Sequence, residues 1–433
     1  MGGIGREAKV TGTMEENKFI KFDFPIFWTA LALWFIGIFM VYSATYTAET
    51  GPLAGLYKQQ IMWVVMAICI IITLTSLPGR FFFSFAYILF GLSIMLLLLA
   101  LAKGSSAKGA ERWIAIGGFK LQPSEFAKIG LLLALARYLS DHDLSLEKIS
   151  TFIMPAVLIG IPFLLVLKQP DLGTALVSGA MAIPLFYWAG LTLIEVLFLV
   201  SPIISLGLSA VPLIMSYANG KEIGFAGAIP WGVFFLLLIL ALYLARPSFF
   251  ILVGVILANL FTATIFTIVW RVMKDYQKMR IISFVDPEKD ASGAGYQVIQ
   301  SKVAIGSGFL FGKGYLHGTQ TTLSFLPEQQ TDFIFSVLGE QFGLFGCTLV
   351  ICLFFFLVAR GFYLTQSVRN RFNNLLIVGS TSIVAIHVFF NASMALGMMP
   401  VVGIPLPFLS YGGSFTLTLA VLLGLIFNAK KSD

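Results

Sequence analysis

Residues 333–359 read FIFSVLGEQFGLFGCTLVICLFFFLVA, a run in which Glu340 is the only charged side chain. A bilayer core of about 30 Å is crossed by about 20 apolar residues in a helix, so this run is long enough to span. Comparable runs lie near 26–45, 60–77, 81–102, 124–140, 151–168, 173–190, 192–217, 229–245, 248–270, 373–398 and 405–428, about twelve in all. Composition agrees: the 433 residues are 58% hydrophobic and 11% charged, with a mean hydropathy of +0.91. A soluble domain carries about a quarter charged residues. So few charges cannot cover a surface facing water, so lipid must be the solvent for most of the chain. The 42 phenylalanines suit lipid-facing and interhelical packing. The expected fold is an all-α polytopic membrane protein.

Residues 1–24 read as a disordered cytoplasmic tail, 25–429 as one membrane domain and 430–433 as a second short tail. No cleavable signal peptide is visible, and the first run reads as a retained helix. An even number of spans puts both termini on one side. That side carries Lys18, Lys21, Arg80, Lys148, Arg246, Arg360, Arg369, Arg371, Lys430 and Lys431, and so reads as cytoplasmic. The opposite side is also rich in cations. Its loop 103–123 holds Lys103, Lys108, Arg112 and Lys120, and its loop 271–332 holds seven Lys and Arg among six acids. An anionic partner would account for them, and so would ordinary solvated charge. Within the longer loop, 294–311 alternates apolar and polar residues in the manner of an interfacial amphipathic helix. Cys69, Cys347 and Cys352 lie in apolar runs and show neither disulfide nor metal spacing. His142, His317 and His387 are too scattered in sequence to suggest a histidine metal site.

Four polar, helix-breaking clusters fall on the non-cytoplasmic side. The first, GAERWIAIGGFKLQPSEFAK (109–128), runs from a loop into a helix. Ser124 is placed to cap that helix, and Glu125 and Lys128 lie one turn apart on one face. An acid just inside a membrane is costly unless paired, so this is either a structural ion pair or the lining of a polar cavity. Trp113 alone would be an interfacial anchor. The second cluster, KQPDLGT (168–174), joins two helices, with Asp171 as a candidate cap and Lys168 and Asp171 as candidate cavity residues. The third, LPEQQTDFIF (326–335), leads to GEQFG (339–343) and carries Glu328, Thr331, Asp332 and Glu340. Asp332 is either an N-cap or a carboxylate able to take a proton from a hydroxyl. The fourth, GIPLPFLSYGGS (403–414), breaks the backbone at a helix start and includes Ser410. Broken backbone at membrane depth is tolerated where it is buried or lines a cavity. Four such clusters on one side point to one composite site.

In this order the clusters resemble the SEDS family (shape, elongation, division and sporulation proteins). The resemblance covers about 27–427 and includes YQKMRIISFVDP (276–287). GYQVIQSKVAIGSG (295–308) is similar to the rod-shape branch rather than the division branch. Departures are Glu111 where a basic residue is common, Gln330 for a frequent His, and Gln341 for a second acid. Family members typically have ten helices; the surplus here falls in 191–246, as two inserted helices or an overcount.

The resemblance implies a peptidoglycan glycosyltransferase that polymerises lipid II, a disaccharide-pentapeptide on undecaprenyl diphosphate, into glycan strands at the outer face of the bacterial cytoplasmic membrane during cell elongation. It puts the essential acid on Asp332, the functional tryptophan of the first outer loop on Trp113 and the polar helix-start pair on Glu125 and Lys128. Arg112, Lys128, Lys168, Arg280 and Lys302 are the candidate cations for the diphosphate, and Gln122, Asp171, Glu328, Thr331, Glu340 and Ser410 are further candidate substrate contacts. A divalent cation, Mg or Mn, is expected to assist, or else Lys and Arg alone. Expected partners are lipid II, the nascent glycan strand, a class B penicillin-binding protein as transpeptidase, and other elongation-complex membrane proteins. No nucleic acid is expected. The rival expectation is a lipid II flippase, with charges near the membrane midplane and access from both sides.

Overall fold

The computed structural model describes residues 22–46, 53–103, 105–107, 110–116, 119–146, 150–219, 227–273, 275–290, 293–323 and 325–433. Most of the expected N-terminal tail lies outside these residues. Each apolar run forms helix: α1 (Phe24–Thr45), α2 (Leu56–Ser76), α3 (Arg80–Lys103), α4 (Pro123–Asp141), α5 (Ser150–Lys168), α6 (Leu172–Ala180) and α7 (Ala182–Trp188). The next are α8 (Leu193–Asn219), α9 (Ile229–Ala245) and α10 (Phe249–Val272). Then come α11 (Asp275–Val285), α12 (Ala294–Ser307), the single turn α13 (Thr319–Thr322), α14 (Ile334–Leu364), α15 (Arg371–Ala395) and α16 (Gly413–Lys431). Among the described residues nine helices are long and apolar enough to cross a membrane. The other three runs are α4, with its four charged residues, the broken pair α6–α7, and the 17-residue α9.

The most enclosed helices are not the most apolar. In α15 and α16 the buried positions include Ser380, Thr381, Ser382, Thr416, Thr418 and Asn428. Lipid is as apolar as Leu, so small and polar residues are driven inward, where they pack beside buried Leu376, Leu422 and Phe427. α4 lies against α15 and α16, with α1, α2, α3, α5 and α14 packed around them. One carboxylate binds three of these helices. Asp23 Oδ1 caps α1 by accepting from Ile26 N–H at 3.2 Å, and its Oδ2 accepts from Arg360 of α14 at 2.9 Å and Lys430 of α16 at 3.0 Å.

α8, α9 and α10 stand to one side and are joined by polar contacts. Asn259 Nδ2 donates to Ser201 Oγ at 2.8 Å, and Trp231 Nε1 to Ser205 Oγ at 2.8 Å. They reach the rest of the chain through α7, with Val196 of α8 in the main core, and through α11, where Ile282 packs with Ala210, Phe266 and Trp270.

α14 is broken at Gly343, whose φ of 62° lies in the left-handed region. Residues 309–314 supply partners for backbone groups around that break. Leu344 N–H donates to Phe309 O at 2.8 Å, and Lys313 N–H donates to Glu340 O at 3.0 Å. The expected amphipathic helix is α12. Rather than only lying at an interface, it packs Val298, Ser301 and Ala304 inward, with Ser301 Oγ against Ser336 of α14 and the Ala395 carbonyl of α15.

The small antiparallel sheet β1 (Ser105–Ala107), β2 (Ala110–Ile116) and β3 (Phe119–Leu121) was not expected. Its signal was in the sequence: Gly117 and Gly118 stand between the paired residues Ile116 and Phe119, a two-residue hairpin signature.

Candidate active site

A cavity of about 890 Å³ opens where five helices begin. Its lining includes Glu125 in the first turn of α4, Asp171 and Thr174 at the start of α6, Ala294 and Gln297 of α12, Asp332 just before α14, and Ser414 and Phe415 of α16. Trp113, Gln122, Met279, Asp290, Glu328, Thr331, Gly403 and Tyr411 complete much of the wall. The volume suits a small-molecule site. Helix N-termini carry partial positive charge, which favours the carboxylates placed there. Residues before and after 191–246 meet in this one cavity, so the helices in that stretch leave both halves of the site on the same side.

Local chemistry fixes each wall. Asp171 caps α6, accepting from Thr174 N–H at 3.2 Å and Thr174 Oγ1 at 3.0 Å, and Gln122 Nε2 donates to it at 3.0 Å. Gly173 lets the start of α6 close on 402–404; a Cβ there would lie 2.8 Å from the Val402 carbonyl oxygen. Ser124 does not cap α4. Pro123 takes the first helical position, Gln122 is the N-cap residue, and Gln122 N–H donates to Ser414 Oγ at 3.0 Å. Proline, lacking an N–H, fits that first position. Likewise α14 has Phe333 at its N-cap with no side-chain capping bond.

The turn bearing Asp332 is held carbonyl by carbonyl. Tyr411 N–H donates to Gln330 O at 2.9 Å, Ser410 Oγ to Thr331 O at 2.6 Å, and Asn391 Nδ2 to Asp332 O at 2.8 Å. Glu328, with φ of 53°, folds the turn so that its carbonyl accepts from Thr331 and Asp332 N–H, both at 3.1 Å. Asp332 Oδ2 lies beside Gly403, whose φ is 72°. Tyr411 meets Gln59 Oε1 at 2.6 Å through its hydroxyl, and burial pushes that phenol above its usual range against a smaller opposing contribution from Trp63.

Of the expected site residues, Trp113, Gln122, Glu125, Asp171, Glu328, Thr331 and Asp332 line the cavity. Lys128 does not: it is 1% exposed and donates to Glu125 Oε1 at 2.9 Å. Lys168 and Lys302 are exposed and stand outside the lining. Glu340 is buried away from it, accepting from Lys313, Thr319, Gln320 and Thr321. Ser410 is a buried latch behind the wall. The side chains of Arg112 and Arg280 lie outside the described residues. Sequence reasoning missed Asn391 and His387, which are single polar residues inside an apolar run. Among the described residues no three His, Cys, Asp or Glu side chains converge as metal ligands.

The chain is 35% identical over 391 residues to the peptidoglycan glycosyltransferase MrdB of Escherichia coli (strain K12), with 90% of each covered. It is 33% identical over 423 residues to the peptidoglycan glycosyltransferase RodA of Treponema pallidum (strain Nichols), covering 94% of this chain and 97% of that protein. A solved structure concerned with the coordination of polymerization and crosslinking by a peptidoglycan synthase complex superposes with a TM-score of 0.65 at 27% identity, covering 94% of this chain and 97% of that one. The rod shape determining protein RodA of Thermus thermophilus superposes with a TM-score of 0.59 at 25% identity, covering 94% and 96%. The model of the FtsW/RodA/SpoVE family, described as cell cycle proteins, matches residues 24–225 and 227–433. Matched over nearly its whole length, the chain belongs to the FtsW/RodA/SpoVE family of cell cycle proteins.

Proposed function

We propose that this multi-pass inner-membrane protein is a peptidoglycan glycosyltransferase that polymerises lipid II at the outer membrane face during cell elongation. The observation that carries the reading is Asp332, held at an 890 Å³ cavity by hydrogen bonds to three successive carbonyls. Asp332 takes the proton from the 4-hydroxyl of a GlcNAc acceptor. The freed oxygen attacks the anomeric carbon of the donor MurNAc as the bond from that carbon to the diphosphate breaks. Attack from the opposite face inverts the configuration, and undecaprenyl diphosphate leaves. General base catalysis of this kind contributes about 10²–10⁴-fold.

The leaving diphosphate needs positive charge. The N-terminal ends of α4, α6, α12, α14 and α16 supply partial charge at the cavity. Arg112 and Arg280, whose side chains lie outside the described residues, are the full cations we assign to it on the family resemblance. A Mg²⁺ or Mn²⁺ ion is proposed only as a companion of the donor diphosphate, not as a fixture of the chain. The lipid tail would lie between helices, and the nascent strand would leave through the cavity mouth. By analogy with the solved synthase complex, a class B penicillin-binding protein is the proposed crosslinking partner, within a larger elongation complex.

The test uses purified protein in detergent with lipid II. The parent converts it to glycan polymer, and Asp332→Asn, still folded, does not. Equal polymer from the variant would sink the assignment. Lipid II flipping in proteoliposomes without polymer would favour a transporter instead.

A further inference from the structure

Among the described residues α15 gives no side chain to the cavity wall. Two of its buried polar residues, His387 and Asn391, nevertheless reach toward both functional acids. They are four residues apart and so share one face of the helix.

His387 is 1% exposed. Its Nδ1 lies 2.8 Å from the Ile383 carbonyl oxygen, an oxygen that can only accept. The Nδ1 proton is therefore assigned there, which leaves Nε2 a lone pair. That nitrogen stands 3.1 Å from Lys128 Nζ, and Lys128 in turn donates to Glu125 Oε1 at 2.9 Å. A buried ion pair is costly unless further hydrogen bonds satisfy its members, and His387 supplies one. The Phe415 ring flanks Lys128, its centroid 5.7 Å from the ammonium. Glu125 itself is 4% exposed and lines the cavity, and its second oxygen, Oε2, is buried and has no hydrogen-bond partner among the described residues. One turn along, Asn391 Nδ2 donates to Asp332 O at 2.8 Å and to Ile404 O at 2.7 Å. Both N–H bonds of that amide are thereby used.

We propose that His387 and Asn391 are positioning residues. His387 acts through Lys128 to present Glu125 Oε2 to a hydroxyl or amide N–H of the sugar substrate, and Asn391 sets the carboxylate of Asp332 against the acceptor hydroxyl. One rigid helix turn thus fixes the separation of the two acids. The inference rests on the glycosyltransferase reading above. It assigns the two residues different kinetic signatures, because Glu125 contacts bound sugar and Asp332 acts on the moving proton.

The experiment measures KM and kcat for lipid II polymerisation by folded, monodisperse protein in detergent, for the parent, His387→Leu, His387→Gln and Asn391→Ser. His387→Leu removes the acceptor and raises KM about tenfold, with kcat within about threefold; His387→Gln keeps an acceptor and restores KM. Asn391→Ser lowers kcat about 10- to 100-fold with KM unchanged, as a misplacement of about 1 Å does. Parental KM in His387→Leu, parental kcat in Asn391→Ser, or a tenfold KM rise in His387→Gln each overturns the proposal. If His387→Leu does not fold, His387→Ala takes its place, with the same tenfold rise in KM expected and a parental KM overturning the proposal. An inactive parent overturns the glycosyltransferase reading and this proposal with it; an active parent with unmoved variants overturns only the proposal.

Discussion

Ser410 Oγ donates to the carbonyl oxygen of Thr331 at 2.6 Å while accepting from the N–H of Leu406 at 2.8 Å. One buried hydroxyl thereby ties the turn bearing Asp332 to the broken backbone before α16. Ser410→Ala strands both backbone groups. Leaving a buried donor or acceptor unsatisfied costs about 1–3 kcal/mol. We expect Ser410→Ala to unfold at lower temperature and to lose about tenfold in kcat, because the stranded carbonyl adjoins Asp332, the proposed base. A calorimetric scan and an initial-rate assay check this, and parental kcat would show that the latch does not position Asp332.

Glu340 has a different part. It is buried in α14, and its five acceptor contacts hold the segment running from Lys313 to Thr321. Gly318 lies so close that a Cβ there would stand 2.6 Å from Glu340 Oε2. Glu340→Ala leaves two backbone N–H groups and Lys313 without their acceptor. The expected loss is about 3 kcal/mol, at the low end for a broken buried pair because Lys313 retains some water contact. Protein that stays folded should keep the parental KM, since Glu340 does not line the cavity. A raised KM at unchanged thermal stability would instead make Glu340 a substrate contact.

The membrane fold was legible because apolar length is a local property: a run such as 333–359 declares a span without knowledge of its neighbours. Asp332 was legible too, as an acid at a helix start among proline and glycine. The fate of Lys128 was not. Its spacing from Glu125 showed the pair, but only the approach of His387, 259 residues away, shows that the ammonium is enclosed and not offered to a diphosphate. Asn391 was invisible for the same reason: one amide in an apolar helix has no pattern until the carbonyl of Asp332 arrives beside it. The caps failed differently. Ser124 and Asp332 have the right chemistry for N-caps, yet Pro123 and Phe333 decide where those helices begin.

Gly173 offers a steric test of how the cavity is shaped. A Cβ at this position would meet Val402 O and Ile404 Cγ1, both at 2.8 Å, and one of those atoms is backbone. The start of α6 would have to move away from 402–404, taking Asp171 with it. Such overpacking costs about 1–3 kcal/mol. Gly173→Ala should therefore lower thermal stability and raise KM, while Gly160→Ala, at an α5 site with open space for a Cβ, should do neither. Thermal unfolding and lipid II titration of the two variants side by side separate a packing effect from a general response to alanine.

Acid should unlock the opposite end of the bundle through Asp23. Burial pushes this carboxyl upward, but hydrogen bonds from Arg360 and Lys430 outweigh it and hold the group below its ordinary value of 3.8. Depression in the folded state means that the ionised form stabilises the fold. That contribution is complete at pH values above 3.8 and is lost as pH falls through the lower folded value. Between neutrality and about pH 5 Asp23 should thus add no slope to stability, and the slope should appear only in the acid limb. Asp23→Asn keeps an oxygen for the α1 cap but forfeits both ion pairs, so it should be less stable at pH 7 and approach the parent as pH falls. Thermal unfolding of parent and variant from pH 7 downward reads the difference directly. A gap that stays constant into the acid range would mean that the charge of Asp23 does not join α1, α14 and α16.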